Sequence, residues 1–168
     1  MNEVPWFERS LRFGYAPELL PYFLIRLEGT LPRIRALVNN VDDRILSTRI
    51  QGKWSVKENI GHLAEVDEIA NKRLDEMVAG VPIMSPAVFE PQDYNPWPLS
   101  ELIDFFEQTR STNLKKYDRI STTDLSKASL HPRLKVMMTP VDLAWFDAEH
   151  DDHHLVKIKE ILNSFKNA

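Results

Sequence analysis

Apolar residues recur at three- and four-residue spacing along most of this chain, and glycine is scarce. That period belongs to helices, not strands. From about Glu18 to Asn40 the stripe is Leu20, Phe23, Leu24, Leu27, Leu31, Ile34 and Leu37 or Val38, which predicts a first amphipathic helix. Pro21 falls in its first turn, where a missing N–H costs little. Pro32 is interior and predicts a kink or a break. A second helix opens at Ser55 and Glu58, which fit a capping box, and runs inward through Val56, Ile60, Leu63, Ala70, Leu74 and Met77. Gly80 followed by Val81 and Pro82 stops it. A third helix spans roughly Leu99 to Ile120, with Leu102, Phe105, Phe106, Thr109 and Leu114 on its apolar side. The fourth has the clearest start: Thr139 as N-cap, Pro140 at the first helical position and Asp142 in the first turn. It should continue to about Phe165. Four helices of about 20 residues, each with one apolar side, predict an all-α four-helix bundle. The chain reads as one domain over residues 1–168, without internal repeats.

Two long connections interrupt the helices. Residues Val81 to Pro98 carry Pro82, Pro86, Pro91, Pro96 and Pro98 together with Phe89, Tyr94 and Trp97. A loop of this length with three aromatics is expected to pack over something. It can wall a pocket or complete the core. Residues Ser121 to Met138 form the second connection, whose run Lys135 to Met138 can be a strand or simply extended.

Composition narrows the chemistry. The chain is 168 residues long, 43% hydrophobic and 27% charged, and so is long enough to bury a core without a staple. It has no cysteine, which excludes disulfides, iron–sulfur clusters and thiolate-bound metal. The formal net charge of −4 gives no footprint for a nucleic-acid backbone. No apolar run approaches the roughly 20 residues of a membrane span, and the opening residues MNEVPWFERSLRFG lack the pattern of a secretory signal. Cytoplasmic residence is the default expectation.

Three of the five histidines lie between Glu149 and Leu155. On a helix, His150 and His154 share one face, which continues through Ile158, Ile161 and Phe165 toward the interior. His153 aligns with Glu149, Lys157, Glu160 and Ser164 on the wet side. Two imidazoles one turn apart chelate a divalent ion well. His62, beside the stripe of the second helix, is the best third ligand. His62 and the pair both fall in the N-terminal halves of their expected helices, so two helices running parallel would bring them to one end of the bundle. Each has a plainer reading: His62 as a hydrogen-bonded core residue, the pair as buried imidazoles that satisfy polar partners. His131, before Pro132, reads as structural. Asp147 and Asp151 flank the pair and can orient an imidazole through its second N–H. Asp67 interrupts the second stripe, as a partner of the site or a pocket acid. The plainer reading of all three is a solvated charge or a local salt bridge. No residue is assigned as a general base.

The run Gly52 to Leu63, GKWSVKENIGHL, resembles the signature of the DinB-like (YfiT/DinB) superfamily. Residues Ala148 to Ile158, AEHDDHHLVKI, resemble its closing H-x-x-x-H helix, and Leu130-His131-Pro132 with Thr139 resemble the segment before it. The resemblance implies an up–down–down–up bundle, with a long Pro-rich crossover allowing the second and third helices to run parallel. It implies a metal triad of His62, His150 and His154, zinc or nickel as the ion found, and a homodimer. It divides on activity. Some relatives resemble transferases or isomerases using a low-molecular-weight thiol, and others are labelled metal-dependent hydrolases. The leading expectation is therefore a metal-dependent enzyme that activates a thiol or water against a small-molecule substrate, with no nucleic-acid or membrane partner. The alternatives are a non-catalytic metal- or small-ligand-binding bundle of a stress response, and an interaction module whose histidines are structural.

Overall fold

The computed structural model describes residues 4–166; the outermost residues of the expected 1–168 domain lie outside it. The first expected helix is two: α1 (Leu20–Glu28) and α2 (Thr30–Val38). Gly29 joins them without leaving the helical region, and Pro32, which cannot donate to the preceding turn, lies just beyond the junction. A short α3 (Asp43–Ser47) follows, then α4 (Val56–Val78), α5 (Leu99–Tyr117) and α6 (Pro140–Lys166). The second connection holds a two-stranded antiparallel ribbon, β1 (Ser129–Leu130) and β2 (Met137–Met138), so part of the expected extended run is paired. No helix of the described residues is long and apolar enough to cross a membrane.

The capping signals act as read. Ser55 accepts from the Glu58 amide while Glu58 accepts from the Ser55 amide. Gly80, at φ +76°, turns the chain out of α4, and the Val81 amide reaches back to the Glu76 carbonyl. Asp142 caps more than its own helix: it accepts from the amides of Thr139, Gly14 and Tyr15 and so ties the N-terminal segment to α6.

Side-chain pairing fixes the topology. Arg26 of α1 and Arg33 of α2 both reach Asp152, and Thr30 reaches Asp151, so the first arm runs along α6. Asp67 of α4 pairs with Arg110 of α5, and Asp75 with Lys116, so α4 and α5 are parallel. Val56, Ile60 and Leu63 share one apolar cluster with Leu155, Ile158 and Leu162, whereas Leu74 and Met77 share another with Val141 and Ala144. Helices α4 and α6 are therefore antiparallel. The bundle is up–down–down–up, and residues 81–98 are the crossover that parallel α4 and α5 require.

That loop is bolted down. The Tyr94 ring lies on Gly61, where a Cβ would come within 2.3 Å of it, and its hydroxyl donates to Glu65. Lys57, 1% exposed, donates to the Trp97 carbonyl at 2.7 Å and pairs with Asp43. Tyr94 and Trp97 thus complete the core, while Phe89 turns the other way, toward a cavity.

Between the two apolar clusters lies a charged layer that the apolar stripe of the third helix did not announce. Arg110 donates two hydrogen bonds to Asp67, at 2.8 and 2.9 Å, and its Nη1 donates to Asp151 and to the Leu27 carbonyl, both at 2.7 Å. All three side chains are at most 4% exposed. Burial pushes the Asp67 carboxyl up, to about 6, despite the guanidinium beside it. Asp67 and Asp151 are therefore salt-bridged, as the plainer reading allowed, but in a buried pairing with a helix distant in sequence instead of a local one, and they are neither solvated charges nor partners of an imidazole.

Two outcomes follow. Arg110→Met strands two buried carboxyl groups, and denaturant unfolding should show a loss of about 3–5 kcal/mol. Gly61→Ala, which in an open helix gains about 1 kcal/mol, should instead destabilise; in a Tyr94→Ala background the same change should become neutral or stabilising.

Candidate metal centre

Three imidazoles from two antiparallel helices meet in the middle of the bundle. His62, His150 and His154 each present one ring nitrogen within 4.8 Å of the other two. The expected triad is brought together, though not by parallel helices at one end. His62 lies two turns into α4, His150 and His154 near the middle of the longer α6, and the antiparallel offset of the two helices aligns them.

The protonation of His154 can be read from its neighbours. The Asn59 amide nitrogen donates to the Ser55 carbonyl at 2.7 Å, which turns Asn59 Oδ1 toward His154. Oδ1 lies 2.7 Å from Nδ1, so Nδ1 carries the proton and Nε2 the lone pair. That lone pair faces His150 Nε2 at 3.2 Å. Asn59 is thus the residue that orients an imidazole, a role that the sequence offered to Asp147 or Asp151 as one of two readings. It stands one turn before His62 on the helix opened by the capping box, and that position was the available signal.

All three rings are held neutral. Burial brings His62 down to about 4. Burial and the neighbouring rings bring His150 and His154 well below the ordinary range. Three neutral imidazoles with converging nitrogens are the donor set that zinc-type ions take. The fit leaves one polar loose end: His150 Nδ1 is buried without a hydrogen-bond partner. Asp147, three residues earlier, has the same condition at Oδ2, and burial among acidic neighbours drives its carboxyl well up.

The triad lies on the wall of a cavity of about 680 Å³. The Trp54 and Phe89 rings stand 4.8 and 4.9 Å from the His62 ring. Trp6, from the N-terminal segment, meets His150 edge-on at 5.1 Å. Arg9 holds that segment to Glu149. Two further histidines line the cavity, and one of them, His153, departs from expectation. His153, expected on the wet face, lines the cavity with its ring 5.7 Å from Trp6, because the N-terminal segment folds over that side of α6. His131, expected to be structural, also lines the cavity and is 5% exposed. Its Nδ1 accepts from the amides of Arg133 and Leu134, and burial beside Arg73 and Arg133 brings the ring down to about 4.

These histidines set an acid limit on stability. A histidine with a depressed folded pKa binds fewer protons folded than unfolded, so its stabilisation is present above the unfolded value of 6.5 and is lost as the pH falls toward about 4. Chelator-treated protein should lose stability from about pH 7 to about pH 4.5, and His62→Phe should make that decline shallower. Denaturation midpoints across this range provide the check.

Comparison with known proteins follows from this geometry. No curated protein sequence matches the chain significantly. Among solved structures it is similar to YfiT from Bacillus subtilis, described as a probable metal-dependent hydrolase with an unusual four-helix bundle topology, with a TM-score of 0.81 at 18% identity over 94% of each chain. It is also similar to a mycothiol-dependent maleylpyruvate isomerase, with a TM-score of 0.67 at 14% identity, over 83% of this chain but 60% of that one. At these identities the likeness is one of fold. The sequence profile of the DinB superfamily matches residues 26–158, from the first helical arm through the histidine helix, and the chain belongs to that superfamily.

Proposed function

We propose that this protein is a metal-dependent enzyme whose ion, zinc or nickel, is held by His62, His150 and His154. The observation that carries the reading is the convergence of three neutral ring nitrogens within 4.8 Å on the wall of a small-molecule-sized cavity. When bound, a divalent ion supplies Lewis acidity, drawing the pKa of a thiol or a water down toward neutrality.

The chain's own residues do the rest. Asn59, fixed by the Ser55 carbonyl, keeps the proton of His154 on Nδ1 and its Nε2 free. Trp54 and Phe89 flank His62 and keep bulk water from that side. Among the described lining residues there is no serine, threonine or cysteine, and burial drives the one carboxyl there, Asp147, toward its uncharged form, so the nucleophile we propose is an external one. A low-molecular-weight thiol makes the reaction S-transfer to a small electrophile; water makes it hydrolysis. The described relatives include one of each kind, a mycothiol-dependent isomerase and a probable metal-dependent hydrolase. All three imidazoles come from one chain, so the homodimer that the family resemblance implies is not needed to complete the site.

The same absence of a side-chain nucleophile favours a second reading, a non-catalytic bundle that binds a small ligand. Metal content by mass spectrometry separates the two. The enzyme reading expects about one ion per chain in untagged protein, reduced at least tenfold in His62→Ala and in His150→Ala/His154→Ala. It also expects the loaded protein to consume thiol with model electrophiles or to hydrolyse an ester and amide panel. Negligible metal after incubation with zinc or nickel would sink it and leave the binding module.

A further inference from the structure

The cavity has a second chemical end. Arg73 lies on the same face of α4 as His62, eleven residues on, which places it about 16 Å away along the axis. It lines the cavity and is 6% exposed. Its Nε donates to the Ser85 carbonyl at 3.2 Å. Among the described residues no carboxylate comes within ion-pair distance of its guanidinium. Glu76, one turn on, is engaged by the amide and hydroxyl of Ser85. Asp147 acts on Arg73 only from a distance, and its burial favours the uncharged carboxyl. A buried arginine keeps its charge, and Glu76 and Asp147 both act on it from beyond ion-pair distance, so its guanidinium has no carboxylate in contact among the described residues.

Two more groups gather at this end. His131 uses Nδ1 as an acceptor for the Arg133 and Leu134 amides, so the neutral ring carries its proton on Nε2 and offers a donor. Arg133 lies over the Phe7 ring, 3.5 Å from its centroid, and adds charge at the rim. Between the two ends the wall is apolar apart from Asp147, with Val66, Ile69, Ala70 and Phe146.

We infer that the Arg73–His131 end of the cavity is a carboxylate-binding subsite, and that the cavity takes small molecules with an apolar body and a terminal carboxylate. The guanidinium fork matches a planar carboxylate, and His131 supplies a further N–H. The carboxylate end anchors the molecule at Arg73 and directs its other end toward the histidine triad. This rests on the reading of the cavity as the substrate site, but not on the presence of an ion.

The test uses the full chain, chelator-treated and zinc-loaded. The probes are phenylalkanoates from phenylacetate to 6-phenylhexanoate, each paired with its primary amide, titrated by NMR. At least one acid should bind tenfold or more tightly than its amide in both states, a difference typical of a hydrogen-bonded charge pair. The Arg73 Nε–H and His131 ring signals should move. The preference should vanish in Arg73→Gln and persist in Arg73→Lys, with metal content unchanged in both. Equal binding of acid and amide, no binding of either, or a preference that survives Arg73→Gln overturns the proposal. If Arg73→Gln does not fold, the wild-type comparison decides: shifts confined to His62, His150 and His154 overturn it. A preference seen only with zinc means that the acid goes to the ion, which overturns the subsite and supports the metal reading. A preference in protein that takes up no zinc does the reverse.

Discussion

One buried guanidinium holds this bundle in register. Arg110 spends its donors on α4, α6 and the last turn of α1, and Thr30 brings α2 to the same carboxylate. Burying charge is costly unless every donor and acceptor is met, so the arrangement tolerates little sliding of any helix against its neighbours. Arg110 makes four hydrogen bonds, two of them as a planar fork on Asp67, which the three donors of a lysine cannot reproduce. The apolar clusters above and below supply most of the burial, but apolar packing alone is permissive about register.

The position of the histidines follows from that lock. Asp67 lies five residues after His62, and Asp151 sits between His150 and His154. Once Arg110 has drawn those two carboxylates to itself, the histidines of antiparallel helices face one another. The same layer lies between the two apolar clusters, and α4 and α6 line a cavity whose walls are completed by the N-terminal segment and the crossover loop. Coverage by Trp6, Trp54 and Phe89 then desolvates the imidazoles and keeps them neutral.

Membership of the superfamily accounts for the bundle, not for the chemistry run in it. Structures of one fold differ in their described activity and in how much chain accompanies the bundle; this chain spans 60% of the isomerase it resembles. Function lies in the particular residues that line the cavity. Here those are a histidine triad at one end and an arginine with a histidine at the other.

The sequence by itself determined the elements. Helical periodicity, the Ser55–Glu58 box, Gly80 and the Thr139–Pro140 start are local signals, because capping and amphipathicity act within a few residues of their cause. The i, i+4 spacing of His150 and His154 was legible for the same reason, and His62 stood out beside the apolar stripe of its helix, with the family motifs pointing to the same residue. What only the tertiary structure decided depends on pairs distant in the chain. Arg110 reads as an ordinary helix charge until Asp67, 43 residues earlier, and Asp151, 41 later, are brought to it. Asn59 becomes an orienting group only when α6 lies antiparallel to α4. His131, His153 and Arg73 become cavity residues only when the N-terminal segment and the crossover loop close over them. A solitary polar residue carries no record of its partner, and its burial is set by what packs against it.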